Sequence, residues 1–132
     1  MLKLLLDEHI SPQVAEGLRR RNRLLEVHGM AEWENGNFLG QEDSACLREA
    51  ARQRLTLVTY DRRTIPALLK VWAEEERGHG GVIFVDEETI SPADIGGLVL
   101  GLGQLFKETG KWNWKNRVYF LRRLRARIGP PR

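Results

Sequence analysis

Three groups of acidic residues stand directly behind three apolar runs. Asp7-Glu8-His9 follows Leu2 to Leu6, Tyr60-Asp61 follows Leu55 to Thr59, and Asp86-Glu87-Glu88 follows Val82 to Val85. A further pair, Glu42-Asp43, opens a stretch of helical character. Carboxylates that converge from distant positions repel one another unless a cation neutralises them. Hard divalent ions such as Mg²⁺ and Mn²⁺ take carboxylate oxygens, and with a phosphate ester as substrate they support hydrolysis. Asp7, Asp43 and Asp61 are therefore the candidate catalytic groups and metal ligands, with Glu8 and Asp86 as further ligands. Each acid also has a plainer reading. An Asp behind a strand often caps the following helix, as Asp61 could at Thr64.

Other chemistries have less to work with. No G-x-x-x-x-G-K-[ST] occurs, and no glycine-rich turn follows the first apolar run, so nucleotide cradles are not indicated. Ser44 and Thr59 lack a nearby histidine, and no nucleophile elbow is present. The single cysteine, Cys46, excludes an internal disulfide and a multi-thiolate zinc site; its Ala- and Leu-bearing surroundings make it a buried apolar residue. His9 adjoins the acids, whereas His28 and His79 fall in expected loops and read as surface residues.

The acids need a scaffold, and the periodicity supplies one. Leu2 to Leu6, Leu24 to Val27, Leu55 to Thr59, Val82 to Val85 and Val118 to Leu121 read as short strands. Between them, Ser11-Pro12 opens a helix ending near Arg23, and a second helix runs from about Gln41 to Gln53. A third runs from Thr64 to about Arg77, and Ser91-Pro92-Ala93-Asp94 begins a last one reaching about Glu108. His28 to Gly40 reads as a loop. This alternation predicts an α/β domain, a three-layer α/β/α sandwich with a mostly parallel central sheet. In such sheets ligands bind beyond the carboxyl ends of the strands, where strand order reverses. That is where the acids fall.

The chain has 132 residues, with 21 Lys and Arg against 18 Asp and Glu. The charge is unevenly spread. Eight basic residues and no acid lie between Lys111 and Arg132, which leaves thirteen basic against all eighteen acidic residues in the first 110, a net of −5 there. A basic end on an acidic body suggests an anionic partner. Lys111-Trp112-Asn113-Trp114-Lys115-Asn116-Arg117 interleaves rings and cations, which suits single-stranded RNA; alternatively one Trp plugs the core and the other anchors a loop. No apolar run approaches the length of a membrane span. No signal-peptide pattern is read at the start, and a cytoplasmic location is expected.

With these residues in view, Leu4-Leu5-Leu6-Asp7-Glu8-His9-Ile10-Ser11-Pro12 resembles the opening of PIN-like proteins of the DUF5615 type, related to the Mut7-C group. Asp43 to Leu47 and Ala50 to Leu57-Val58-Thr59-Tyr60-Asp61 resemble their second block, in which an acid opens a helix and a strand ends in Thr-x-Asp. Gly81-Val82-Ile83-Phe84-Val85 resembles a later strand, and the likeness spans roughly residues 2–121, leaving 122–132 as a basic tail. The resemblance implies a PIN-like domain and an Mg²⁺- or Mn²⁺-dependent ribonuclease. Relatives of this kind are often toxins held by a small antitoxin protein. Asp7, Asp43 and Asp61 match the family's acidic positions. Arg62, Arg63, Lys111, Lys115, Arg117, Arg122, Arg123 and Arg125 are the candidate RNA contacts, and a homodimer is a further expectation. One departure stands out: Arg63 replaces an acid that the family commonly carries. A catalytically degenerate module binding RNA or protein is therefore the alternative. A phosphoacceptor domain using Asp61 ranks third, because no lysine follows the last strand.

Overall fold

The computed structural model describes residues 1–123, in the order β1 (Lys3–Leu6), α1 (Pro12–Arg21), β2 (Glu26–Gly29), α2 (Asp43–Arg52), β3 (Thr56–Thr59), α3 (Thr64–Glu74), β4 (Val82–Val85), α4 (Ile95–Thr109) and β5 (Val118–Leu121). The strands form one sheet in the order β2-β1-β3-β4-β5, and every neighbouring pair is parallel. The chain runs outward from β1 to β2, then crosses back to β3 on the other side of β1. The strand order thus reverses between β1 and β3.

Burial on both faces explains why β3 and β4 are continuous apolar or β-branched runs; every residue of both is buried. One core gathers Leu4, Leu6, Val58 and Ile83 with Val14 and Leu18 of α1 and Leu98 and Leu102 of α4. The other gathers Leu5, Leu57 and Phe84 with Leu47 and Ala50 of α2 and Ile65 and Trp72 of α3. Two apolar cores on opposite sides of one sheet make the three-layer sandwich. No helix among the described residues is long and apolar enough to cross a membrane.

Several local readings shift. α4 does not begin at Ser91-Pro92. Ser91 turns the chain by accepting the Ala93 N–H, and Asp94 is the true cap, accepting the Gly97 N–H at 2.8 Å. β2 lies two residues later than the sequence predicts. The loop after β2 contains a short 3-10 turn at Trp33–Gly36; Trp33 is buried against Phe38, and its indole N–H donates to Gln53 of the α2 C-cap. Cys46 is buried, as expected.

His79 is a correction of another kind, because it is a structural residue and not a surface one. It is buried in the turn before β4, where its Nδ1 accepts the Gly81 N–H at 3.0 Å, and its backbone exchanges bonds with Asn116. Burial lowers its pKa and keeps the acceptor nitrogen free. Gly81 itself has φ +103°, and a Cβ there would stand 2.6 Å from the Trp114 carbonyl oxygen. Gly81→Ala combines backbone strain with a backbone clash, so it is expected to cost about 3 kcal/mol or more of folding stability. Urea unfolding of the variant would measure this, and a loss below about 1 kcal/mol would contradict the packing described.

Candidate metal and phosphodiester site

Each acid of the cluster is placed by a strand or helix end. Asp7 leaves β1 at the reversal point, and its backbone N–H extends the β1–β3 ladder by donating to the Val58 carbonyl at 3.0 Å. Asp61 follows β3 by two residues. Between them lies Thr59, fully buried, whose hydroxyl donates to Asp7 Oδ2 at 2.7 Å and accepts the Asp61 N–H at 3.0 Å. One hydroxyl thereby ties the exits of β1 and β3 together. Asp43 is the first residue of α2, behind the N-cap Glu42, whose side chain makes no cap bond.

The charges act on one another. Burial raises the pKa of Asp43, and the neighbouring charges of Asp7, Asp61 and Glu8 raise it further, with His9 opposing. The Cys46 thiol is pushed up to about 11 by burial and then by Asp43, Asp7 and Glu8. Asp61 behaves oppositely. Burial works to raise it, but the Arg63 and Thr64 N–H groups, each 2.8 Å from Oδ1, outweigh that and lower its pKa. The helix-capping role expected of Asp61 is thus real, its carboxylate holding the backbone N–H groups that open α3. Asp7, Glu8 and Asp61 lie near enough to Asp43 for their charges to raise its pKa.

The donor chemistry suits a hard cation, since all four are carboxylates. As oriented, however, no three His, Cys, Asp or Glu side chains among the described residues form a group that holds one ion. Asp7 spends Oδ1 on the Glu8 N–H and Oδ2 on Thr59. Each of these oxygens retains a second lone pair for a cation.

Asp86 lies elsewhere. It leaves β4, accepts the Glu88 N–H, and lines a cleft of about 650 Å³ with Tyr60, Arg62, Glu87, Phe120 and Arg122. Tyr60, which lines this cleft, donates its hydroxyl to the Ile90 carbonyl; its pKa is pushed up to about 12 by burial and then by Asp94 and Glu87.

The basic candidates divide by position. Arg62, Arg63 and Arg122 are exposed at the carboxyl edge of the sheet. Arg123 is there too, but it is engaged by the Asp94 carboxylate and the Thr89 backbone carbonyl. Lys111, Lys115 and Arg117 precede β5, so they lie at the opposite end of a sheet about 10 Å deep. Of the tryptophans, Trp114 is core, with its indole N–H donating to the Thr109 carbonyl, and Trp112 is partly exposed beneath the Arg117 guanidinium. Arg125 lies outside the described residues, as do Arg127 and Arg132.

Sequence reading weighed Thr59 only as a nucleophile without a histidine and as part of the Thr-x-Asp motif; its role needed the three-dimensional link. Thr59→Val preserves shape but leaves Asp7 Oδ2 and the Asp61 N–H without their shared partner. The expected cost is about 2 kcal/mol of stability, measured by urea unfolding, and a neutral result would remove Thr59 from the site.

No protein-family model matches the chain, and neither the curated proteins nor the solved structures provide a match.

Proposed function

We propose that the protein is a divalent-metal-dependent ribonuclease of PIN-like type. The observation that supports this reading is that the charges of Asp7, Asp61 and Glu8 reach Asp43, with Asp7 and Asp61 leaving the two strands β1 and β3 between which strand order reverses. Mutual repulsion there raises the cost of an empty cluster and favours a cation. Asp7, Asp43 and Asp61 would hold Mg²⁺ or Mn²⁺, which supplies the positive charge that phosphodiester hydrolysis needs. Thr59 fixes Asp7 against Asp61, the Arg63 and Thr64 N–H groups fix the Asp61 carboxylate, and exposed Arg62 and Arg63 neutralise the incoming phosphate. The resemblance of the Asp7 and Asp61 blocks to PIN-like proteins supports RNA as the polymer, and with it an antitoxin as protein partner. Incubation of the purified protein with single-stranded RNA tests the reading: cleavage should require Mg²⁺ or Mn²⁺ and stop with EDTA. Cleavage that persists in EDTA contradicts it.

The second reading, a module that binds without cutting, is favoured by Arg63 at a position where the resemblance expects an acid. It predicts RNA retention with no metal-induced stabilisation. The phosphoacceptor reading loses ground, because Lys111 and Lys115 lie at the far end of the sheet from Asp61.

A further inference from the structure

β5 is an outer strand of the sheet, and no further strand among the described residues pairs with its outer edge. Its partner β4 bonds to the Arg117 and Leu121 carbonyls, so by alternation the N–H and C=O groups of Val118 and Phe120 face away from the sheet. Val118 is 43% exposed and Phe120 62%, although both are apolar. No residue within the strand is charged or proline, the usual protection for such an edge. Beside it, α3 leaves a groove of about 500 Å³ floored by Pro66, Leu69, Ala73, Phe84, Val118 and Phe120. Arg62 and Lys70 are the charged residues along this groove, and Arg117 and Arg122 flank the strand.

We infer that the β5 edge docks an extended segment of another protein, with alternating apolar residues between acidic flanks, as an added strand. A strand's backbone pairs the outward groups of Val118 and Phe120, its apolar side chains fill the groove, and its acids meet the basic flanks. Other occupants fit less well. The chain's own residues 124–132 carry Arg125, Arg127 and Arg132 and no acid, so like charge would meet like. A second copy paired antiparallel through β5, with Val118 opposite Phe120, would set Arg117 opposite Leu121 and within one position of the other copy's Arg122, like charge near like. RNA would find one exposed ring, Phe120, over a floor in which Phe84 is buried and the rest is not aromatic, and would leave the outward backbone groups of β5 unpaired among the described residues. The inference is independent of the acidic cluster's activity.

The test uses the full chain, isotope-labelled, titrated with the synthetic peptide EEVTFTVEE and its control KKVTFTVKK. NMR shifts on adding the acidic peptide should centre on Val118 to Leu121 and the facing α3 residues, with slowed hydrogen exchange at Val118 and Phe120. The lysine control should bind about tenfold more weakly or worse. Phe120→Lys should abolish the effect, and Lys70→Glu should weaken the acidic peptide while favouring the control. Both replace exposed residues, and unchanged thermal unfolding would confirm that they fold. Equal binding of both peptides, or shifts elsewhere on the surface, overturns the inference. So does protection of the same amides by oligouridylate alone, or by raising the protein concentration without peptide.

Discussion

Asp7→Asn is expected to lower RNA cleavage by about a hundredfold or more while leaving the fold intact. Two features of the structure separate these outcomes. The asparagine carbonyl can still accept the Glu8 N–H, and its amide can face the Thr59 hydroxyl, so the tie between β1 and β3 survives in altered form. What is lost is a negative charge at the point where strand order reverses, the place where a cation would be gripped. The measurement is a single-turnover cleavage assay beside circular dichroism of the same sample. A folded Asp7→Asn protein that cleaves at the wild-type rate would remove the carboxylate from the mechanism.

Asp43→Asn is expected to do something less usual for a site substitution: it should stabilise the metal-free protein. Burial first, and then the charges of Asp7, Asp61 and Glu8, raise the Asp43 pKa above its ordinary value of 3.8. The folded protein therefore holds a proton at Asp43 more tightly than the unfolded chain does. Stability linked to this group is full below pH 3.8 and is lost as pH rises through the folded pKa, leaving a penalty at neutral pH. The neutral amide removes that penalty. In metal-free buffer near neutrality its melting temperature should exceed the wild type's by about 3 °C, and the gap should close as pH falls towards 4. Asp61 carries the opposite sign, because its lowered pKa adds stability above 3.8 that is lost as pH falls through its folded value. A variant at Asp43 that melts below the wild type in metal-free buffer would mean that the acids do not strain one another.

The framework was legible because its signals are short-range. Buried parallel strands such as Leu57-Val58 and Val82 to Val85 have no solvent face, so their apolar runs announce them. Placing the acids behind those strands then followed from the geometry of a parallel sheet. The misread features depend on partners far away in sequence. Ser91-Pro92 looks like a helix start, but Asp94 captures the Gly97 N–H, and Arg123 arrives from β5 to hold Asp94. His79 reads as a loop histidine until Asn116 is seen to close over it. The basic end divides once β5 runs parallel to the rest, which sends Lys111, Lys115 and Arg117 to the wrong end for the acids and keeps Arg122 at the right one. Thr59 shows most clearly what one-dimensional reading misses. A threonine at the end of a strand is ordinary, and only the β1–β3 pairing makes it the link between the Asp7 carboxylate and the backbone N–H of Asp61, fifty-four residues apart.

Thermal unfolding with increasing Mn²⁺ tests the central claim, that the acids at the β1–β3 exit form a cation site. A cation that binds only the folded state at a hundred times its dissociation constant adds about 2.7 kcal/mol of stability. The wild type should therefore melt several degrees higher as Mn²⁺ rises, while Asp43→Asn, already relieved of its repulsion, should shift little. A wild-type curve that does not move, or an equal shift in both proteins, would contradict the account.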